Sequence, residues 1–248
     1  MKDTRDLAIL DHLRAARAAS VAELADAAKT SIATMRRDLQ RLDEAGLLRR
    51  THGGAVVLDA DAPFADVEPV NRDAKERIAA HVVAGVEDGQ SLILDIGTTT
   101  LQVARMLHHR RVTIITPSLA VYETLRDDRE VHLILLPGDY DPVYRSVSGH
   151  LTTECLRSVH ADHALLGVSG IADNGDLRDT TIAQVPIKRA MMDACDRATV
   201  LADSSKFPGQ GIARIAPVSS LTGVITDEVP PATTAAALAA QGVEVTVA

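Results

Sequence analysis

Residues 94–107 read "LDIGTTTLQVARML": a strand ends, a glycine and three threonines turn the chain, and a helix begins. Many folds hold a phosphate this way, because the first amides of a helix have no carbonyl partner and the helix dipole favours an anion there. Gly97 lets the backbone approach a bound anion, while Thr98, Thr99 and Thr100 offer hydroxyls as well as amides. The turn lacks the GxxxxGK[ST] of a nucleotide loop and the GxGxxG of a dinucleotide fold. On the residues alone it also reads as three threonines capping a helix.

Outward from this turn, strands and helices alternate. "KERIAAHVVAGV" is helical and leads into the strand "SLILDI"; "VTIITP" is a strand, "SLAVYETLRD" a helix, and "VHLILLPG" and "HALLGVSG" are strands. "QVPIKRAMMDACD" is a helix, "ATVLAD" and "LTGVIT" are strands, and the alanine-rich "TTAAALAAQG" is the last helix. Continuous apolar strands separated by helices mark a mostly parallel sheet covered on both faces. Residues 75–248 are therefore expected to form an α/β, Rossmann-like domain. Upstream, residues 59–74, "DADAPFADVEPVNRDA", are acidic, hold two prolines and show no sustained period, and so read as a linker.

Residues 1–58 follow different rules. The spacing of Leu7, Ile9, Leu10 and Leu13 predicts a helix over about 4–16. "SVAE" predicts a second helix start, with Ser20 and Glu23 as the halves of a capping box. A third helix opens near Ser31 and ends at Gly46. On a helical wheel Ile32, Met35, Leu39 and Leu42 form one apolar stripe; Thr34, Arg37, Gln40 and Arg41 collect opposite it, with Arg36 on the flank. One buried face and one basic, hydrogen-bonding face describe a recognition helix. "LLRRTHGGAVVL" then places Gly-Gly between two short apolar runs, a hairpin beside that helix. Together these are a winged helix-turn-helix, or else a three-helix packing module with solvated arginines.

The chain has 248 residues, 46% of them hydrophobic, enough for a substantial core. Its net charge of −8 is unevenly spread: residues 1–58 carry 10 basic and 8 acidic side chains, a net +2, and the other 190 carry 16 and 26, a net −10. Only the first segment has a charge that favours nucleic acid. Cys155 and Cys195 form no CxxC, and the nine histidines show no ligand spacing, so neither a disulfide framework nor a metal site is expected. With no apolar run near the roughly 18 residues of a membrane span and no secretory signature at "MKDTRDLAIL", a cytoplasmic protein is expected.

"RDLAILDHL", "TSIATMRRDLQRL" and "RRTHGGA" resemble the DeoR family of bacterial transcriptional regulators. Arg5, Ile9, Leu13, Ser31, Thr34, Met35, Arg36, Arg37, Asp38 and Leu39 each hold a place in its helix-turn-helix pattern. The resemblance runs on through "DIGTTT", "VTIITPS", "ILLPGD", "VSGH", "ADHALLGVSGI", "IKRAMMDAC", "LADSSKF" and "VITD". It implies a sensor domain related in fold to ribose-5-phosphate isomerase, whose effector is a phosphorylated sugar or related metabolite, with no cofactor. It places Ser31, Thr34, Arg36, Arg37 and Arg41 of the recognition helix, and Arg50, Thr51 and His52 of the wing, at a double-stranded DNA operator. It places Asp95, Gly97, Thr98, Thr99, Thr100, Asp139, Gly170 and Lys206 at the effector. It also implies a homo-oligomer, dimer or tetramer, since a +2 head offers few phosphate contacts by itself.

Three residues depart from the family's usual pattern: Pro117 stands where asparagine is usual, Asp139 where a second glycine is common, and Gln184 where glutamate is common. Proline removes a backbone donor, and an aspartate at a pocket mouth disfavours a second anionic group, so an effector other than the commonest ones is expected. The run Leu166–Gly170, "LGVSG", has no carboxylate where the isomerases carry an acid-rich signature. A repressor of sugar or nucleoside catabolism is the reading these features favour. The alternatives are a sugar-phosphate isomerase or deaminase with a DNA-binding head, and a constitutive DNA-binding protein with an inactive sensor.

Overall fold

The computed structural model describes residues 5, 6, 8, 9, 12, 13, 18–44, 48–51, 53–57 and 63–248, in two compact units, Met1–Ala60 and Asp61–Ala248. Gly46, expected to stop the third helix, and His52 of the wing lie outside the described residues.

In the first unit, helix α1 (Val21–Ala27) opens on the expected capping box: Glu23 N donates to Ser20 Oγ at 3.2 Å, and Ser20 N donates to the Glu23 carboxylate at 2.7 Å. Helix α2 (Ile32–Glu44) buries Met35, Leu39 and Leu42 against Ile9, Leu13, Leu24 and Leu48. Ile32 departs from the wheel: as the first residue of the helix it projects past the packed turns and is 49% exposed. The wing has three strands, not two. β1 (Ala18–Ser20), β2 (Leu48–Thr51) and β3 (Gly54–Val57) pair antiparallel in the order β1-β3-β2. A strand reading Ala-Ala-Ser shows no period of two, which is why the sequence hides it. β1 explains Gly54, since a Cβ there would come within 2.1 Å of the Ala19 carbonyl oxygen.

The segment read as a linker is structured from residue 63 on. α3 (Phe64–Val67) lies within it and α4 (Arg72–Ala84) begins before its end. Phe64, only 4% exposed, packs into the same cluster as Ile78, Val82 and Leu101 and gives an acidic stretch a hydrophobic anchor.

The second unit is built on a seven-stranded parallel sheet. Its strands are β4 (Ser91–Leu94), β5 (Thr113–Thr116), β6 (His132–Leu135), β9 (Ala161–Gly167), β12 (Cys195–Leu201), β14 (Gly223–Thr226) and β15 (Glu244–Val247), in the order β15-β14-β12-β9-β4-β5-β6. Alternate residues of β4 serve two cores. Ile93 packs with Ile187 and Met191 of α8 (Gln184–Asp193) and Leu238 of α9 (Ala232–Ala240). Leu92 and Leu94 pack with Ile78 of α4, Leu101 of α5 (Thr98–Met106) and Val121 of α6 (Leu119–Leu125). Helices cover both faces, as uninterrupted apolar strands require.

Small additions carry no strong period in the sequence. They are the hairpin β7 (Asp139–Asp141) and β8 (Ser146–Ser148), helix α7 (His150–Leu156), and the sheet β10-β11-β13 formed by Gly170–Ile171, Asp176–Asp179 and Ala213–Pro217. The order of the large sheet sets the site. From β4 the chain runs outward through β5 and β6 on one side, and from β9 through β12, β14 and β15 on the other. The direction reverses between β4 and β9, and ligands of open α/β sheets sit outside the carboxyl ends of the strands at such a reversal.

Candidate functional site

The basic face of α2 is shaped from both ends. Ser31 stands at its start, accepting from Thr34 N at 3.2 Å and sharing a hydrogen bond with the Thr34 hydroxyl at 2.9 Å. Arg36 and Arg37 are exposed and, among the described residues, form no ion pair. Arg41 does: it pairs with Asp6 at 2.5 Å and approaches Asp38 at 3.6 Å, while Arg5 donates to Asp38 at 2.7 Å. The hydrogen bond that Arg41 donates to Asp6 raises the pKa of its guanidinium above the ordinary value. Arg41 therefore fastens α2 to Asp6. Arg50 and Thr51 of β2 are exposed, and Gly53 O accepts from Val21 N at 3.0 Å, which ties the wing turn to the start of α1.

At the β4/β9 reversal, Gly97 and Gly167 face each other, and a Cβ on either would fill the gap, meeting the other's Cα at 3.5 Å. Gly97 stands at the N-cap of α5 with no side-chain cap, so the first-turn amides of α5 have no intrahelical partner. Thr98 and Thr99 are 8% and 7% exposed. Thr100 is fully buried and its hydroxyl reaches Asp95 O and Gly97 O, both at 2.7 Å. It locks the turn.

Asp95 leaves the end of β4 and accepts from Gly167 N at 2.9 Å. Its partner is a residue the sequence reading passed over. Lys188 of α8 forms an ion pair with the same carboxylate, donates to Gly167 O at 2.7 Å and lies 3.6 Å from Asp179. Burial opposes the charged amine, but Asp95 and Asp179 together outweigh it and hold Lys188 above its ordinary value. The signal was a lysine on the buried face of a helix, one turn from Gln184 and beside Ile187 and Met191. The carboxylates absent from "LGVSG" thus enter from Asp95 and Asp179. Asp95 Oδ1 and Gln184 Oε1 are among the buried oxygens that have no partner among the described residues.

The remaining expected residues are held by other elements. Asp139, exposed on β7, places Oδ2 where a Cβ on Gly149 would come within 2.8 Å. Gly170 is a packing glycine, since a Cβ would lie 2.1 Å from Gly209 Cα; the crossing of two backbones accounts for it. Lys206 sits on the short turn Ser204–Lys206 after β12, capped by Asp203. Lys75, 3% exposed, donates to Val67 O at 2.8 Å. Burial lowers its amine to about 8, with Asp203 opposing and Lys206 adding to that shift. Pro117 is buried and its carbonyl accepts from Val147 N at 2.8 Å. Among the described residues, no three His, Cys, Asp or Glu side chains group as metal ligands, and no helix is long and apolar enough to cross a membrane.

A helix-turn-helix head with Arg36 and Arg37 exposed on its second helix, followed by an α/β domain with two facing glycines at its strand reversal, has the organisation of a DNA-binding protein with an attached sensor module. The DeoR-like helix-turn-helix domain matches residues 5–61 and the DeoR C terminal sensor domain residues 70–228; the chain belongs to the DeoR family of transcriptional regulators. It is similar to the transcriptional repressor AccR of Agrobacterium fabrum, at 34% identity over 90% of this chain and 88% of that protein. It is 32% identical to the glycerol-3-phosphate regulon repressor of Escherichia coli (86% and 85%) and 32% identical to the L-fucose operon activator of Haemophilus influenzae (90% and 91%). Among solved structures, ribose 5-phosphate isomerase A from Methanocaldococcus jannaschii aligns with a TM-score of 0.40 at 19% identity, over 55% of this chain and 54% of that one.

Proposed function

We propose that the protein is a repressor of sugar or nucleoside catabolism genes, that its head reads operator half-sites within a homo-oligomer, and that a phosphorylated sugar in the β4/β9 crevice controls it. One observation carries this reading: the uncapped first turn of α5 stands beside Asp95, whose Oδ1 is buried and has no hydrogen-bond partner among the described residues. The first-turn amides of α5 offer an anion site behind two facing glycines. Lys188 offsets one of the two carboxylate charges, Asp95 and Asp179, that flank it, and the buried Asp95 Oδ1 calls for a donor such as a sugar hydroxyl. At the DNA, Arg36 and Arg37 are the uncommitted guanidinium groups of α2, and bidentate arginine is the commonest reader of guanine. Ser31, Thr34, Arg50, Thr51 and His52 are assigned to the backbone phosphates. Arg41 is left out, because its ion pairs hold it inside the head.

Calorimetric titration with a panel of phosphorylated sugars, glycerol 3-phosphate among them, tests the crevice. Binding by the wild type that is lost in Thr99→Val with Lys206→Ala supports the site; retained binding in the double variant means it lies elsewhere.

The buried Lys188 between two carboxylates also favours a second reading, an isomerase-type acid–base site. Its amine is held charged and all its visible partners are internal, so the proposed regulator produces no isomerised or deaminated sugar. Product formation at any appreciable rate establishes the enzyme instead.

A further inference from the structure

The residues that follow the head are fastened to two loops at the carboxyl edge of the sheet. Phe64 N donates to Val143 O at 2.8 Å, and the Arg145 guanidinium lies 5.8 Å from the Phe64 ring centroid. Val143 and Arg145 belong to the turn of the β7–β8 hairpin, which begins at Asp139. At the other end, Asn71 precedes α4 in a left-handed conformation, φ 53° and ψ 37°, and its side chain does not cap the helix. Its Nδ2 donates to Asp203 Oδ1 at 2.9 Å instead.

That same oxygen accepts from Ser205 N at 3.1 Å and from the Ser205 hydroxyl at 2.5 Å. Asp203, 2% exposed, thus fixes the turn that presents Lys206 while holding the start of α4. Lys75, one turn further along α4, closes the fastening by donating to Val67 O at the end of α3.

We propose that residues 63–75 are the coupling element of this regulator, with Asn71 and Lys75 as positioning residues that link the Asp203–Lys206 turn to the segment leading into the head. The proposal rests on the effector reading above. A phosphate drawn to Lys206 moves or stiffens a turn whose capping carboxylate is hydrogen-bonded to Asn71, and the segment 63–75 transmits the change along the chain. Coupling of this kind is a free energy shared by two sites, so it is measurable from either one.

The test uses full-length protein, inorganic phosphate, glycerol 3-phosphate and hexose 6-phosphates as probes, and an operator duplex selected in vitro. Asn71→Gly keeps the left-handed backbone accessible and removes only the amide; Lys75→Met removes the buried amine at similar length. Wild-type operator affinity is expected to shift about tenfold with an effective probe. Both variants are expected to bind that probe and the operator within about threefold of wild type, yet to show less than about a threefold shift. An undiminished shift in either variant overturns the proposal, and so does loss of probe binding itself, which reduces Asn71 to a support of the pocket. No binding of any probe to the wild type overturns the effector reading directly, and with it the coupling that depends on it.

Discussion

Arg37 and Arg41 are one helical turn apart on α2 and look alike in a sequence, but their surroundings give them different work. Arg37 is exposed and unpaired among the described residues, whereas Arg41 is bound to Asp6. Arg37→Ala is expected to abolish operator binding in a gel shift without lowering thermal stability. Arg41→Ala is expected to cost the head about 0.5–1 kcal/mol, the range for a partly exposed ion pair, and to weaken operator binding only through that loss. Equal gel-shift defects at unchanged stability would put Arg41 on the DNA after all. Lys188 belongs to the same scale. Lys188→Met strands Asp95 and Asp179 as buried carboxylates, and equilibrium denaturation is expected to show a loss of about 3–5 kcal/mol. A near-neutral result would mean that the buried ion pair contributes little net stability.

At the scale of elements, the sequence was legible wherever burial imposes a period. The strands of the large sheet are apolar runs because both faces are covered, and α1 announces itself through Ser20 and Glu23. The three-residue strands β1, β7 and β8 are too short for alternation to register, and α3 was hidden because a single residue, Phe64, anchors it. The site was legible in the same uneven way. The glycine–threonine turn stands out locally, but Lys188 and Asp179 reach Asp95 only through the pairing of β9 with β4, which no local pattern encodes. One strand also carries a pH signature. His163 of β9 shares a hydrogen bond with Thr199 of β12 at 2.8 Å, and burial, aided by Arg197, lowers its imidazole to about 4 from 6.5. The folded protein resists a proton that the unfolded chain accepts below 6.5. Stability is therefore expected to fall as pH drops from 6.5 towards 4, by up to about 3 kcal/mol. Urea titrations across that range should show the slope in the wild type and a flatter one in His163→Gln; identical slopes would mean another group is responsible.

The whole molecule divides its labour by charge and by fold. The head carries a net +2 and the remainder a net −10, so only the head has a charge that favours an anionic duplex. On the proposed reading, the donors of α5 and the unpartnered oxygen of Asp95 favour a small molecule with a phosphate at one end and hydroxyls at the other. The proposed coupling runs through the fastening of residues 63–75 to the Asp203–Lys206 turn. The most direct test of this account is the dissociation constant of the full-length protein for its operator, measured by fluorescence anisotropy with and without a panel of phosphorylated sugars. The account predicts a change of about tenfold or more with at least one phosphorylated sugar and none with its unphosphorylated counterpart. Tight operator binding that no phosphorylated sugar alters would contradict it.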